Sequence, residues 1–253
     1  MSAPLIAFII FAFMLSGIAV GSYLRVVLPD DHRQSDSKDI LMTVAGTMGM
    51  LIALIIGLLV TSAKGNFDDT TTSITQAGAK TITLDYYLSR YGPEAKEVRE
   101  LLPQSVVSAI KRIWPNESRG GADLAKMEAA SEMTNIYDRI RELAPKNDTQ
   151  KYLQTKALEI VANIMQSRWM LIEESQTNLP RVFLVVLTFW LTVLFTQFGL
   201  LAPRNKTALS ALFVCALSMS GAIFLILELN NPLEGTIRVS SAPLHKALAI
   251  IGK

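Results

Sequence analysis

Side chains that could do chemistry are few in this 253-residue chain, and they do not converge on one site. The two histidines, His32 and His245, are far apart in sequence, and the single cysteine, Cys215, lies in an apolar stretch. Spacing therefore predicts no Cys/His metal site and no intramolecular disulfide. The motifs G-x-x-x-x-G-K-[ST], H-E-x-x-H and G-x-S-x-G are all absent from the sequence. We therefore predict no enzyme activity, no cofactor and no metal centre.

Paired carboxylates are the remaining candidates for chemistry. Neighbouring positions on a helix do not face one site, so solvated faces or loop ends are the favoured explanation. The acidic residues between positions 30 and 39 leave a divalent-ion site open, although their spacing is not that of an EF-hand loop. These residues are Asp30, Asp31, Asp36 and Asp39, and the other pairs are Asp68-Asp69 and Glu173-Glu174.

A stretch without charged residues, 40–63, carries the pattern with the clearest functional meaning. Small residues recur in it at steps of four and form a ridge about 24 Å long at 1.5 Å per residue. In a bilayer, small residues allow helix backbones to pack closely. The opposite face would either contact lipid or form a hydrophobic constriction that gates a pore by dewetting. We name Ala45, Gly49, Ala53, Gly57 and Thr61 the small-residue ridge, and Thr47, Leu51, Leu54 and Leu58 the leucine face.

Two other apolar stretches carry related patterns. Gly17 and Gly21 form a G-x-x-x-G motif, a shorter version of the same packing device. A threonine ridge occurs in the third stretch, where hydroxyls can bond the helix backbone and need no functional explanation. Gln197 lies beside this ridge and is expected to form an interhelical hydrogen bond, with a permeation role as the alternative. The ridge consists of Thr188, Thr192 and Thr196.

Membrane-spanning helices are needed to position these patterns. Half of the residues are hydrophobic and only 18% are charged, against about 25% in soluble domains. Four stretches contain no Asp, Glu, Lys or Arg, and each exceeds the roughly 18 apolar residues that mark a membrane span. The sequence therefore predicts an all-α membrane protein and excludes a soluble enzyme, a secreted disulfide scaffold and a DNA-binding domain. The stretches are residues 1–24, 40–63, 182–203 and 207–227.

The first stretch is expected to be a retained span rather than a signal peptide. No Lys or Arg precedes it, and it is longer than the usual apolar core of a signal, although residues 16–19 offer small side chains for cleavage. Four spans place both termini and residues 64–181 on one side of the bilayer. Six basic residues flank the membrane on that side and five on the other, so charge does not decide the orientation.

Four segments follow from this pattern. Residues 64–181 are predicted to form a helical domain between the second and third spans, and residues 68–90 to continue the second span. The four spans make the bilayer a predicted partner. The net charge of +2 comes without a basic tract, so nucleic acid is not a predicted partner. The segments are 1–63 (spans one and two with the short loop 25–39), 64–181, 182–227 (spans three and four) and 228–253 (a turn and a short amphipathic helix).

Helices also account for the rest of the middle segment. Pro93 opens a helix that reaches Trp114, and residues 123–143 form another. Asp148 or Thr149 is expected to cap a long third helix. An apolar stripe on that helix would pack within the chain or against another subunit. The stripe is Leu153, Ala157, Ile160, Ile164, Ser167 and Leu171.

Two blocks in the second half of the chain resemble motifs of the bacterial bestrophin-like family. Residues 198–205 read FGLLAPRN, and residues 224–244 read FLILELNNPLEGTIRVSSAPL. In that family an FGL-x-APRN block, an L-E-L-[DN]-x-P-x-x-G-x-I-R-[VI]-S block and a late P-L run recur. The order of two spans, a helical middle and two more spans also matches, so the resemblance covers nearly the whole chain.

Bestrophins proper are pentameric anion channels with cytosolic termini, and the second helix of each subunit lines the pore. The resemblance therefore implies a homo-oligomer of the bacterial inner membrane, a pentamer, with a cytoplasmic middle domain and a pore lined by the leucine face. Bestrophin necks often use aromatic rings, whose positive edges suit anions, but residues 40–63 contain none. Lys38 and Lys64 are the candidates for charge at the pore mouth.

The block after the fourth span predicts a chain reversal followed by a short docking helix. Its Asn, Pro and Gly residues favour a turn, Ser241 is the expected N-cap of the helix, and Gly252 ends it. Glu228 and Arg238 are expected to form an ion pair or to anchor the loop. The motif residues are Glu228, Asn230, Pro232, Gly235 and Arg238, and the helix face is Leu244, Leu248 and Ile251.

Two classes of function remain open. The leading hypothesis is a bestrophin-like oligomeric channel that is permeable to small anions. The alternative is a non-conducting membrane scaffold or sensor whose helical domain binds a partner or ligand. Charged residues are absent from all four spans, which argues against a proton-coupled pump. A continuous central axis lined by residues 40–63 would favour the channel.

Overall fold

Helices joined by turns and irregular segments make up the chain as far as the structure describes it. This computed structural model describes residues 2–27, 35–114, 132–176, 181–203 and 205–252. The prediction of an all-helical protein is confirmed for these residues. The helices are α1 (Ala3–Val27), α2 (Ser35–Tyr91), a 3-10 turn (Pro93–Ala95), α3 (Lys96–Ile113), α4 (Glu132–Glu142), α5 (Asp148–Gln176), α6 (Arg181–Leu201), α7 (Lys206–Leu229) and α8 (Ala242–Ile250).

Four of these helices are long and apolar enough to cross a membrane. They are α1, the part of α2 from Asp39 onward, α6 from Val182 and α7, which correspond to the four uncharged stretches of the sequence. Helix α2 is 57 residues long, or about 85 Å at 1.5 Å per residue, against about 30 Å of hydrocarbon. The sequence expectation that residues 68–90 continue the second span is therefore confirmed.

Apolar side chains of α1, α2, α6 and α7 form the core of one compact unit, which comprises Met1–Asn66 and Asn178–Asn230. We call it the membrane unit. Met14, Leu191 and Ala216 are completely buried in this core. The buried hydroxyl of Ser220 donates a hydrogen bond to the carbonyl oxygen of Ala7 at 2.9 Å, so its burial does not leave an unpaired polar group.

Helices α1 and α6 approach each other closely along their glycines. A Cβ atom on Gly17 would lie 2.7 Å from the carbonyl oxygen of Thr192, and one on Gly199 would lie 3.0 Å from the Cα of Ile18. At the end of this contact the guanidinium of Arg25 donates to the carbonyl oxygen of Ala202. Side chains larger than hydrogen therefore do not fit at these glycines.

Threonine hydroxyls along α6 are satisfied by the helix that carries them. Each of the three donates to the carbonyl oxygen four residues earlier, as the sequence predicted. The bonds run from Thr188 to Leu184 (2.6 Å), from Thr192 to Thr188 (2.7 Å) and from Thr196 to Thr192 (2.8 Å).

A second compact unit, the helical unit, comprises Phe67–Thr177 and Asn231–Lys253. Leu84, Leu102 and Ile140 are completely buried in its core. The Arg99 guanidinium donates two hydrogen bonds to the Asp85 carboxylate, at 2.9 and 3.2 Å. Hydrogen bonding to this carboxylate raises the pKa of Arg99, because it favours the charged form.

The start of α5 differs from the prediction. Asn147, rather than Asp148 or Thr149, is the cap, since its side-chain oxygen accepts a hydrogen bond from the backbone N–H of Gln150 at 2.8 Å. Asp148 is then the first helical residue, where its negative charge suits the positive end of the helix dipole. Asn and Asp are both good N-cap residues. Residue type alone therefore does not show whether the helix begins after position 147 or after position 148.

The apolar stripe of α5 packs within the chain over its first half. Leu153, Ala157 and Ile164 are buried, and the first two belong to the core of the helical unit. The side chain of Leu171 lies outside the described residues. These contacts favour the intrachain reading of the stripe.

Two helix boundaries in the middle segment also differ from the predictions. Pro93 opens a 3-10 turn rather than the α-helix itself, which begins at Lys96 and contains Pro103. A proline suits this opening position because its missing N–H would have no helical partner there. The helix predicted over 123–143 is described as Glu132–Glu142, and residues 123–131 lie outside the described part.

Candidate functional site

The leucine face is one exposed stripe on α2. At 100° per residue its four members lie within about 60° of one another around the helix. The exposed fractions are 46% for Leu51, 61% for Leu54 and 63% for Leu58. Thr47 is also exposed, and its hydroxyl donates to the carbonyl oxygen of Thr43 at 3.0 Å. The stripe is thus an uncovered apolar surface whose one hydroxyl bonds its own helix.

A different face of α2 packs within the membrane unit. Ile52 is 1% exposed, and Ala45 and Ala63 are also buried. Partly buried side chains extend this contact along the helix, and they are Met48, Ile55, Ile56 and Leu59. One side of α2 therefore belongs to the core of its own subunit, and the leucine face lies on another side.

The small-residue ridge lies partly on the packed face of α2 and partly on its exposed surface. Ala45 is buried, whereas Ala53, Gly57 and Thr61 are exposed. Cβ atoms added to Gly49 or Gly57 would meet no heavy atom of the described residues within 4 Å. A step of four residues advances about 40° beyond a full turn, so the ridge winds away from the intrachain face toward its C-terminal end. It is therefore not one surface packed within the subunit.

Two further predictions concern the lysines at the pore mouth and the glutamine in the third span. Lys64 is exposed on α2, and the side chain of Lys38 lies outside the described residues. The amide oxygen of Gln197 is buried without a hydrogen-bond partner among the described residues. The interhelical bond expected of Gln197 is therefore not made by this oxygen.

The C-terminal motif closes a loop in the helical unit. The backbone N–H of Val239 donates to the carbonyl oxygen of Pro232 at 2.9 Å, and the buried Trp114 indole donates to the carbonyl oxygen of Val239 at 2.8 Å. Gly235, within the loop, has a φ of 120°, which favours glycine. The Arg238 side chain donates to the carbonyl oxygen of Gly235 at 2.5 Å, within the loop. Whether Arg238 anchors the loop or forms an ion pair stays a prediction.

The remaining motif residues belong to the end of α7. Glu228 is only 3% exposed. Asn230 follows the last helical turn, and its carbonyl oxygen accepts a hydrogen bond from the Asn66 side chain at 3.2 Å. Both residues lie in the membrane unit. The structural role expected of the motif stays a prediction.

Helix α8 docks on the helical unit, as the sequence predicted. Leu244 and Ile251 are buried in its core, Leu248 packs against that core, and Gly252 follows with a φ of 80°. Ser241 occupies the N-cap position, but its side chain makes no capping bond. The hydroxyl of Ser240 instead accepts from the backbone N–H of Ala242 at 3.2 Å.

Gly78 is a packing position that the sequence analysis missed. A Cβ atom there would lie 2.8 Å from the carbonyl oxygen of Pro243, at the start of α8. The available signal was an isolated glycine inside a long helical pattern, which often marks a close backbone approach. The close packing of Gly199 against Ile18 was also not predicted, because Gly199 entered the sequence analysis only as part of the FGLLAPRN block.

The paired carboxylates do not form a metal site in the described part of the chain. No group of three or more His, Cys, Asp or Glu residues comes together there. Asp68 and Asp69 are both exposed on α2. Asp30, Asp31 and the side chain of Asp36 lie outside the described residues, as do those of Glu173 and Glu174, so the divalent-ion hypothesis stays a hypothesis.

Comparisons with known proteins bear on this arrangement. Residues 10–244 match the family model of the Bestrophin-like domain. A crystal structure of a mutant bacterial bestrophin homologue from Klebsiella pneumoniae is similar to the chain, with a TM-score of 0.65 over 95% of this chain and 98% of that one. At 14% sequence identity this similarity concerns the fold alone. No curated protein matches the chain.

Proposed function

The chain belongs to the bestrophin-like family, and from that membership we propose that it forms a homo-oligomeric, anion-permeable channel in the bacterial inner membrane. Helix α2 of each subunit lines the pore, and the oligomer is a pentamer, as in bestrophins proper. The leucine face forms the constriction. Anions are the permeant class because bestrophins conduct them, and the uncharged stretch 40–63 contains no acidic side chain that would repel them.

The exposure of α2 is the observation that carries this proposal. Only 11% of the residues in its most apolar stretch are buried, against 22% to 28% in α1, α6 and α7. A central helix of an oligomer is covered by neighbouring subunits, so it needs less cover from its own. The open ridge glycines, Gly49 and Gly57, supply a surface on which a second α2 can pack closely.

A ring of leucines would control the passage of water. At Leu54 and Leu58 the apolar side chains project from α2 with more than half of their surface uncovered. When such side chains surround a narrow axis, they exclude water and hold the pore closed. Ions then cross only when the ring widens or becomes more polar.

Smaller side chains at the constriction are expected to raise anion flux. In Leu54→Ala and Leu58→Ala, the narrowed axis becomes wider and retains water, which we expect to increase chloride flux about tenfold, a barrier change of about 1.4 kcal/mol. The measurement is chloride efflux from liposomes that hold equal amounts of parent or variant protein.

The exposed apolar residue Leu217 on α7 supplies a matched control, since it is 53% exposed and outside α2. Leu217→Ala should conduct like the parent. Equal background flux from all four proteins, with the oligomers intact, would favour the scaffold or sensor instead.

Orientation gives a separate prediction. We propose that residues 64–181 and both termini face the cytoplasm. Thr134 is exposed on α4, so Thr134→Cys in a Cys215→Ser background should react with an impermeant thiol reagent only after the cells are opened. Strong labelling in intact cells would reverse the proposed orientation.

A further inference from the structure

A cavity of about 240 Å³ lies in the membrane unit, where the end of α1, the end of α6 and the start of α7 come together. A cavity of about 150 Å³ holds one benzene molecule, so this one has room for about ten non-hydrogen atoms. A phosphate group with the glycerol that carries it matches this size. The cavity is therefore large enough for the head of a glycerophospholipid.

The walls of this cavity change from charged to apolar along the helices. Arg25 is the first charged residue after the uncharged stretch 1–24, and Lys206 comes directly before the stretch 207–227, so both lie at the boundary of the hydrocarbon. Ile18 and Leu212 also line the cavity, and they lie about 10 Å deeper along their helices. Tyr23 is 68% exposed on α1, as is common for tyrosines at the level of the lipid headgroups.

Two basic side chains border the cavity, and its described lining contains no acidic one. The guanidinium of Arg25 donates to the carbonyl oxygen of Ala202, which is a neutral acceptor and leaves the positive charge in place. Lys206 is exposed. Neither side chain is in an ion pair with a residue that the structure describes. An anion between the two would therefore gain from both charges.

The other polar groups at the cavity have partners within the membrane unit. The Ser22 hydroxyl donates to the carbonyl oxygen of Gly199 at 3.5 Å, and the side-chain oxygen of Asn205 accepts from the backbone N–H of Ala208 at 2.7 Å. Asp39, an acidic residue of the same side of the membrane, is exposed on α2 and does not line the cavity. The charge count covers the described lining only, which leaves out Asp30, Asp31 and Arg204.

We propose that this cavity binds the head of one anionic phospholipid, phosphatidylglycerol. Its phosphate lies between Arg25 and Lys206, and one acyl chain runs along Leu209 and Leu212. Leu209 is 59% exposed, so it presents an open apolar surface to that chain. Arginine binds phosphate through paired N–H donors, and lysine binds it as a point charge. Basic pockets between membrane helices bind anionic lipid heads in this way.

Phosphatidylcholine is the natural comparison, because it carries the same phosphate. Its quaternary ammonium group adds a positive charge close to the two that already border the cavity, so it should bind more weakly. The inference goes beyond the proposed channel and does not depend on it, because binding requires only the folded membrane unit.

The experiment follows thermal unfolding of the purified full-length protein in a neutral detergent. Dioctanoyl phosphatidylglycerol or dioctanoyl phosphatidylcholine is added at the same mole fraction, and the difference between the two removes the general effect of lipid on the micelle. A ligand that binds only the folded state raises the unfolding temperature. We expect phosphatidylglycerol to give a temperature about 2–4 °C higher than phosphatidylcholine. Inorganic phosphate, which has the charge but no acyl chains, should give no shift.

Four variants test the location. Lys206→Glu reverses one charge at the first residue of α7, where a negative charge suits the helix dipole, and Arg25→Gln removes the other charge. Both should abolish the difference between the two lipids, whereas Lys206→Arg should keep it. Lys246→Glu is the control, because Lys246 is exposed on α8 in the helical unit, and it should keep the parent's difference.

Several results would overturn the inference. Equal unfolding temperatures with the two lipids in the parent would show no preference for the anionic head. A shift with inorganic phosphate as large as that with phosphatidylglycerol would make this a site for a free anion. A full difference in Lys206→Glu, or a loss of the difference in Lys246→Glu, would place the preference outside the cavity. If Arg25→Gln does not fold, the three lysine variants decide the question by themselves.

Discussion

Alanine in place of Gly21 is expected to destabilise the membrane unit by about 3 kcal/mol, the upper end of the usual range for overpacking. The added Cβ atom would lie 2.8 Å from the backbone nitrogen of Leu200 and closer still to the carbonyl oxygen of Thr196. Both are backbone atoms of α6, which cannot move aside as a flexible side chain can. The unfolding temperature in detergent should fall by about 10 °C.

Gly221→Ala is the matched control for this substitution. Gly221 lies in α7, and a Cβ atom there meets no heavy atom of the described residues within 4 Å. Its unfolding temperature should equal or slightly exceed that of the parent, because alanine favours a helix over glycine. If the two variants unfold at the same temperature, the close contact between α1 and α6 does not hold in the folded protein.

Leucine at Gly49 or Gly57 should separate the oligomer while leaving the subunit folded. A Cβ atom at either position meets no heavy atom of the described residues within 4 Å. A neighbouring helix packed on the small-residue ridge would collide with a leucine there, at a cost of a few kcal/mol typical of overpacking. Light scattering after size exclusion should give a smaller assembly. The circular dichroism of the helices should match that of the parent.

Gly221→Leu again supplies the comparison, since it adds the same side chain to an exposed position outside α2. It should keep the mass of the parent assembly. Should Gly49→Leu and Gly57→Leu also keep the parent's mass and unfolding temperature, the ridge contacts lipid and the proposed packing of α2 on α2 is wrong.

Composition was enough to predict the spans and the helical class of the protein. Four uncharged stretches longer than about 18 residues are expected to be membrane-spanning helices, because backbone N–H and C=O groups must be hydrogen-bonded within the protein when they lie in hydrocarbon. The G-x-x-x-G motif at Gly17 and Gly21 likewise predicted a tight contact, but not its partner. The partner is the backbone of α6 at Thr192, Thr196 and Leu200, which is far away in sequence, and no local pattern joins the two helices.

The surfaces of α2 were harder to predict. Regular steps of four suggested one packed face, yet an α-helix has 3.6 residues per turn, so residues at that spacing wind around it. Ala45 is buried and Gly57 is open for this reason. The cavity bordered by Arg25 and Lys206 depends on contacts among three helices, which periodicity within one helix does not report.

The contact between α1 and α6 also has a consequence for synthesis of the chain. Arg25 and Ala202 are 177 residues apart, so α1 enters the membrane about 10 to 35 s before its partner, at 5 to 20 residues per second. During that interval the glycines of α1 have only lipid tails or the insertion machinery against them. The core of the membrane unit therefore cannot close until the ribosome has translated α6 and α7, the last of which ends at Leu229.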